Sequence, residues 1–120
     1  MPKRYPCVAV KGLPITIFGD GEQTRDFLYV GDLVNILMQA IEATDVEEGA
    51  VNVGLNKATT LNQMLKALGE VVGALPPISH GPARSGDIRH SRADNSRLLQ
   101  RFTLGETTPM SEGLARLLGR

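Results

Sequence analysis

The order of apolar and polar residues predicts a strand, a break and a second strand early in the chain. Residues 15–18 (ITIF) are β-branched or aromatic, which suits a strand. Gly19, Asp20 and Gly21 then interrupt the apolar run, as expected of a turn. Residues 26–30 (DFLYV) are predicted to form a second short strand, so the three turn residues have the character of a hairpin bend.

Two amphipathic helices are predicted next, with a buried strand at residues 50–53 between them. The first begins at Asp32, and its apolar positions follow a helical spacing: Leu33, Ile36, Leu37, Ala40 and Ile41. The second has the Thr-x-x-Gln capping-box pattern at Thr60 and Gln63, in which each side chain binds a free backbone N–H group. Its buried face is predicted to consist of Leu61, Met64, Leu65, Leu68 and Val72.

The remainder of the chain is predicted to contain shorter elements. Residues 78–80 follow two prolines and suit a short strand, and Asp94 can cap a helix that carries Leu98 and Leu99. Pro109 is predicted at the first position of a last helix, whose apolar residues are Leu114, Leu117 and Leu118. Alternating strands and helices indicate an α/β chain, or α+β when isolated, in one unit over residues 1–120.

Composition excludes several classes of protein. The 120 residues include 13 basic and 13 acidic side chains, so no overall charge draws the chain to nucleic acid or to a membrane surface. No apolar run approaches the roughly 20 residues that a membrane helix needs. Cys7 is the single cysteine, which excludes an internal disulfide and suits a cytoplasmic protein. His80 and His90 lack the spacing of metal ligands, so no metal is expected.

Three polar features are candidates for chemistry, and each also has an ordinary structural explanation. Gly-x-Gly at residues 19–21 lacks the third glycine of a dinucleotide loop, so a turn is favoured. Arg25 stands beside Asp26 and could form a surface ion pair or bind a ligand. Arg84-x-Gly86-Asp87 places a guanidinium and a carboxylate in one loop, suited to phosphate oxygens and sugar hydroxyls or simply to solvent.

Six segments, taken together and in order, resemble the C-terminal part of extended short-chain dehydrogenases/reductases. The NAD-dependent nucleotide-sugar epimerases and dehydratases, UDP-hexose 4-epimerases in particular, are the most similar subgroup. The segments are residues 12–18, Gly19-Asp20-Gly21, Arg25-Asp26-Phe27, residues 29–33 (YVGDL), residues 51–54 (VNVG) and residues 84–87 (RSGD).

The resemblance implies a role for six residues in binding substrate. The backbone at Thr16 and Phe18 would bind uracil, with the Phe18 ring against the base, and Arg25 and Arg84 would hold the diphosphate. Asp87 would bind the ribose. Ser91 matches a position beside the hexose where a small residue admits a 2-acetamido group, so we expect UDP-N-acetylhexosamines to be accepted as well as plain UDP-hexoses.

The family's NAD site and catalytic pair have no counterpart in the sequence. Position 9 is alanine and position 33 leucine, so neither Tyr5 nor Tyr29 begins a Tyr-x-x-x-Lys motif, and no Gly-x-x-Gly-x-x-Gly motif occurs. We therefore expect a C-terminal substrate-binding fragment that lacks the N-terminal Rossmann domain and binds no NAD itself. Alone it should be inactive and expose apolar faces that favour self-association.

The parent protein is predicted to be a UDP-sugar 4-epimerase. The alternatives are a dehydratase or reductase of the same family and, in a different class, a non-enzymatic module that binds anions or nucleic acid. Zero net charge and five aromatic residues argue against nucleic acid as a partner.

Overall fold

A computed structural model describes residues 4–45 and 49–120 and shows a mixed helix and strand fold. The elements are α1 (Arg4–Val10), β1 (Ile15–Phe18), β2 (Thr24–Arg25), α2 (Val30–Glu42), β3 (Thr59–Thr60), α3 (Leu61–Val72), β4 (Ile78–Gly81), α4 (Ser96–Arg101) and α5 (Met110–Leu117). The predicted fold class is confirmed. Within the described residues, no helix is both long and apolar enough to cross a membrane.

The strands form two separate pairs, and the predicted hairpin is wrong. β1 pairs in parallel with β4, in the register Ile15 to Ile78 and Phe18 to Gly81. β2 pairs antiparallel with β3 through two residues on each strand. Residues 19–21 therefore form a turn that carries the chain from one pair to the other instead of joining neighbouring strands.

Two predicted strands are absent from the described structure. Residues 26–29 are not in a strand, and Val30 already begins α2, because the Asp26 carboxylate binds backbone groups of other loops. Residues 50–53 also have no strand partner among the described residues. Their apolar character led to the expectation of a buried strand, whereas Val51 and Val53 are only half-buried.

Helix α3 forms as predicted because its start is encoded locally. Thr60 is the N-cap: its side chain accepts from the Gln63 backbone N–H at 3.0 Å, and the Gln63 side chain accepts from the Thr60 N–H at 2.8 Å. Met64, Leu65 and Leu68 are buried, while Leu61 and Val72 at the ends are partly buried.

The core lies between α3, β1 and α5. Ile15 and Ile17 point inward from β1, and Thr16 between them is exposed, as the alternation of a strand requires. Leu114 of α5 and Ala9 of α1 complete this cluster with the buried face of α3. Helix α1 was not predicted. Its residues pack against α3 and β1.

The later helices differ from prediction at their ends. Asn95 is the N-cap position of α4, and Asp94 binds the Ser96 N–H at 3.0 Å from outside the helix. Pro109 is the N-cap of α5 instead of its first residue. Leu98 is buried as expected, whereas Leu99 is exposed. Leu117, on α5, is exposed as well.

Candidate functional site

A cleft of about 310 Å³ lies at the end of β1. Its walls come from β1, β2, the start of α3, α1 and the loop that follows β4. The lining residues are Tyr5, Phe18, Gln23, Arg25, Phe27, Leu61, Arg84, Ser85, Gly86 and Asp87. Four of the six predicted substrate-binding residues, which are far apart in the chain, thus share one cavity.

The parallel pairing of β1 and β4 explains this convergence. Parallel strands end at the same edge, so the segments that follow Phe18 and Gly81 leave the sheet side by side. The Gly19 N–H continues the pairing by donating to the Gly81 carbonyl at 3.0 Å. The loop after β4 is therefore delivered directly over the end of β1.

An ion pair and two backbone hydrogen bonds then fix the far end of that loop. Arg89 donates to both carboxylate oxygens of Asp20, at 2.7 and 2.9 Å. The Thr24 N–H donates to the Arg89 carbonyl at 2.9 Å, and the Ser91 N–H donates to the Thr24 carbonyl at 3.1 Å. Together these contacts hold residues 84–87 beside β2.

The turn after β1 requires glycine at position 21. Gly21 has φ +79°, and a Cβ there would lie 2.1 Å from Asn62 Oδ1. Asn62 donates its backbone N–H to the Gly21 carbonyl at 3.0 Å and its side-chain N–H to the Asp20 carbonyl at 3.1 Å. The Gly-x-Gly motif thus serves close packing of the turn on α3, and none of its three residues lines the cleft.

Arg25 points into the cleft and does not pair with its neighbour Asp26. Its Nη2 donates to Asp87 Oδ1 at 3.0 Å, and its Nη1 donates to the Thr24 carbonyl at 2.7 Å. The Asp26 carboxylate accepts instead from backbone N–H groups of Leu55 and Ala93, each at 3.2 Å. The interpretation of Arg25 and Asp26 as a surface ion pair is therefore wrong.

Arg84 lines the same cleft. Its guanidinium carbon is 3.9 Å from the centroid of the Phe18 ring, a close cation–π stack. Phe18 itself is half-buried, and its carbonyl accepts from Gln23 Nε2 at 3.1 Å. The cleft combines two guanidinium groups with one carboxylate, that of Asp87, so its lining has a net positive charge suited to an anion.

Two predicted site residues lie outside the lining of this cleft. Thr16 is exposed on β1, where its carbonyl accepts from the Tyr5 hydroxyl at 3.4 Å and its hydroxyl lies 3.4 Å from that of Ser79. Ser91 is exposed beside β2 and makes its backbone contact there. Neither side chain faces the cavity that contains Arg25.

Six lining residues were not predicted as site residues: Tyr5, Gln23, Phe27, Leu61, Ser85 and Gly86. Tyr5 depends on α1, which has no clear pattern. The Gln23 Oε1 atom is buried without a hydrogen-bond partner among the described residues. Its position between the turn and Arg25 was the available signal.

Electrostatics support a stable frame around the cleft. The hydrogen bond from Arg89, followed by that from the Glu22 N–H, holds the pKa of Asp20 well below its usual range. The same contact raises the pKa of Arg89. Hydrogen bonds from Ser96 lower the pKa of Asp94. Asp20 and Asp94 are therefore ionised at neutral pH.

Three of the five arginines in residues 84–101 make separate contacts. Arg84 stacks on Phe18, Arg89 pairs with Asp20, and Arg97 donates to the Ala50 carbonyl at 3.2 Å.

A second concavity of about 1010 Å³ lies between residues 27–30, residues 55–59 and α5, and Phe27 borders both cavities.

Known proteins resemble this chain in sequence and in structure. The model of the NAD dependent epimerase/dehydratase family matches residues 3–54. UDP-glucose 4-epimerase of Mycolicibacterium smegmatis is 32% identical over 105 residues, which are 88% of this chain and 33% of that protein. The chain belongs to the NAD-dependent epimerase/dehydratase family. It spans 33% and 24% of the length of the first two curated relatives it matches.

Members of the epimerase/dehydratase family with different activities are similarly close. UDP-glucuronic acid decarboxylase 1 of Arabidopsis thaliana is 30% identical over 105 residues, or 88% of this chain and 24% of that protein. The crystal structure of UDP-glucose 4-epimerase with UDP-glucose from Thermotoga maritima superposes with a TM-score of 0.82 at 32% identity. It covers 97% of this chain, which in turn covers 37% of that structure.

Proposed function

We propose that this chain is the substrate-binding part of a UDP-sugar 4-epimerase. The observation that carries the proposal is the convergence of Arg25 and Arg84 on one cleft, beside Phe18 and Asp87. Two guanidinium groups suit the charge and the oxygen spacing of a diphosphate. The Phe18 ring offers a face for a base, and the Asp87 carboxylate is an acceptor for ribose hydroxyls.

The backbone of Thr16 and Phe18 is assigned to the base in this proposal, although the Thr16 side chain lies outside the cleft. The Phe18 carbonyl is held by Gln23, so the end of β1 is fixed where a base would bind. Similarity to an epimerase structure that contains UDP-glucose supports uracil as that base.

NAD does not fit the residues of this chain. The sequence contains neither the glycine-rich motif that binds its diphosphate nor the Tyr-x-x-x-Lys pair, and no step of catalysis is assigned to these residues. We propose that the parent protein carries both in an N-terminal Rossmann domain and oxidises the sugar there. The chain alone is expected to bind and not to turn over.

Titration of the 15N-labelled chain with UDP tests the proposal. Amide signals of residues 18–25 and 84–87 should shift, and Arg25→Ala and Arg84→Ala should each weaken UDP binding about tenfold or more, since hydrogen bonds between charged groups are lost. Arg92→Ala is the matched control, because Arg92 is exposed and does not line the cleft. Shifts elsewhere, or equal losses in all three variants, would contradict the proposal.

The small side chain of Ser91 suggests which sugars the parent protein accepts. We propose that this small residue, although it lies outside the cleft that contains Arg25, is beside the hexose in the parent protein and leaves room for a 2-acetamido group, so that UDP-GlcNAc binds about as well as UDP-Glc. Ser91→Tyr should weaken UDP-GlcNAc more than UDP-Glc in the same titration. An equal effect on both sugars would exclude a role in selecting the sugar, and UDP itself, which has no hexose, serves as the control ligand.

The related decarboxylase supports a second activity for the parent protein. Both activities require the nucleotide diphosphate to be bound in the same way, so the residues of the cleft do not distinguish an epimerase from a decarboxylase. The two activities can be distinguished by incubating the complete parent protein with UDP-glucuronic acid and with UDP-glucose. Only decarboxylation releases carbon dioxide, so its release is the quantity to measure.

A further inference from the structure

Asp87 already occupies part of the cleft that a diphosphate would need. The two terminal nitrogens of Arg25 could bind two oxygens of one phosphate, but each has a partner inside the chain. Nη1 donates to the Thr24 carbonyl at 2.7 Å, and Nη2 donates to Asp87 Oδ1 at 3.0 Å. A guanidinium has five N–H donors, so an anion can still approach Arg25, but it has to compete there with a carboxylate that is covalently part of the protein.

The Arg25–Asp87 contact is weak enough to be replaced. Both side chains are partly exposed, by 34% and 42%, and exposed ion pairs contribute little. Asp87 lies one residue after Gly86, which has φ +80° and open space around it, since a Cβ there would meet no atom within 4 Å. The Asp20–Arg89 ion pair holds the loop two residues further on, so Asp87 can leave Arg25 without displacing the loop.

Replacement leaves Asp87 with a new requirement. Once a phosphate takes Arg25, the Asp87 carboxylate loses its cation and lies close to a second anion. A ligand with hydroxyl groups near its diphosphate can satisfy the carboxylate with O–H donors, as the ribose of a nucleoside diphosphate does. Inorganic pyrophosphate has no sugar hydroxyls to place beside the carboxylate, and its remaining P–OH group belongs to a multiply charged anion, so most of the repulsion remains.

We infer that Asp87 is a specificity-determining residue that competes with anions for Arg25 and so favours hydroxyl-bearing diphosphates over bare diphosphate. This inference rests on the proposed function of the cleft. Every anion that binds Arg25 loses the free energy needed to separate Asp87 from it. Only a ligand with hydroxyl groups near its diphosphate compensates for this loss, by donating hydrogen bonds to the Asp87 carboxylate. Selectivity thus arises partly from the ligand-free arrangement and not only from contacts to the bound ligand.

The test compares inorganic pyrophosphate with UDP at constant pH and ionic strength, by calorimetry on the full chain. Asp87→Asn keeps an acceptor for hydroxyls but removes the competing charge. Pyrophosphate should bind about two- to fivefold more tightly to this variant than to the wild type. UDP should gain less or become weaker, so the preference for UDP over pyrophosphate should fall. Glu70→Gln, on the exposed side of α3, controls for the loss of one negative charge.

The outcomes separate this inference from the proposed function. If UDP shifts the cleft residues of the wild type but pyrophosphate binds Asp87→Asn no better, the inference is overturned and the proposed function stands. An equal gain in Glu70→Gln also overturns it, since a general charge effect would then suffice. If neither ligand binds the wild-type cleft, the proposed function fails and the inference falls with it.

Discussion

Asp26 shows how one carboxylate can organise distant loops. Its Oδ1 accepts from the Leu55 N–H at 3.2 Å, and its Oδ2 accepts from the N–H groups of Asn56 at 2.9 Å and Ala93 at 3.2 Å. Gly54 fits against it closely: a Cβ there would be 2.9 Å from Asp26 Oδ2 and 2.6 Å from the Ala93 Cβ. Arg25 is thereby left to face the cleft, because its neighbouring acid is already engaged.

Asp26→Asn should lower the free energy of unfolding by about 2 kcal/mol. A carboxamide has only one acceptor oxygen, so at least one of the three N–H groups would face an N–H₂ group instead. Urea unfolding of this variant and of the wild type measures the loss. Asp45→Asn is the control, since Asp45 is exposed and should change stability by less than about 0.5 kcal/mol. Equal losses would show that Asp26 has no such role.

At the scale of elements, Asp20 and Arg89 join the turn after β1 to the loop after β4. The pair is exposed but bidentate, and it lies between the parallel strand edge and β2. Since Arg84 and Asp87 belong to the joined loop, the pair positions two of the proposed ligand-binding residues without touching a ligand. The Asp20 pKa is lowered by this contact, which makes the link sensitive to acid.

The stability that Asp20 contributes should be lost in acid. A carboxyl whose pKa is lower in the folded state stabilises the fold above its unfolded pKa of about 4 and loses that effect as pH falls toward the folded pKa. Thermal unfolding from pH 6 to pH 2 should therefore show the wild type converging on Asp20→Asn below about pH 4. Arg89→Ala should show the same profile as Asp20→Asn. Parallel curves for wild type and Asp20→Asn would contradict this expectation.

Elements whose signals are local could be predicted from the sequence, and elements that depend on distant partners could not. The capping box of α3 lies within four residues, and β1 is marked by its own β-branched side chains. The partner of β1 is 63 positions away, so a hairpin was preferred by proximity alone. Residues 50–53 and 26–29 look like strands in composition, but hydrogen bonds to side chains and loops decide their conformation.

The candidate site was predicted to a similar extent and for the same reason. Arg25, Arg84, Phe18 and Asp87 became a coherent set through the family resemblance, which supplies long-range information that spacing lacks. Their common cleft then follows from the β1–β4 pairing. Tyr5 and Gln23 were missed because nothing in their immediate sequence marks them as cavity residues.

At the scale of the whole molecule, α2 has one attached face and one open face. On the attached side Gln39 exchanges two hydrogen bonds with the Thr103 backbone, at 2.8 and 2.9 Å, and Asp32 accepts from the Thr108 N–H at 2.8 Å. The open side carries five large apolar residues that are each 48–76% exposed. They are Val30, Val34, Leu37, Met38 and Ile41, which we call the α2 stripe.

The spacing of the α2 stripe places its members on one side of the helix, opposite Gln39. A continuous apolar surface of this kind is unusual on a protein that has no partner for it. The chain spans no more than about a third of the length of the first two curated relatives, so the rest of such a protein is a candidate for covering this surface. We propose that the N-terminal domain of the parent packs on the α2 stripe and that the isolated chain covers it by self-association.

Ile41→Glu should therefore shift the isolated chain toward the monomer. Ile41 is the most exposed member of the α2 stripe, and a carboxylate there would have to be buried in any interface, at a cost that should weaken association at least about tenfold. Sedimentation velocity over a range of concentrations measures the effect. Asn35→Glu adds the same charge to an exposed position of α2 outside the stripe and should leave association nearly unchanged. A wild-type chain that sediments as a monomer at all concentrations and melts in two states would show that the stripe needs no cover, because a surface that drives association cannot remain open as its concentration rises.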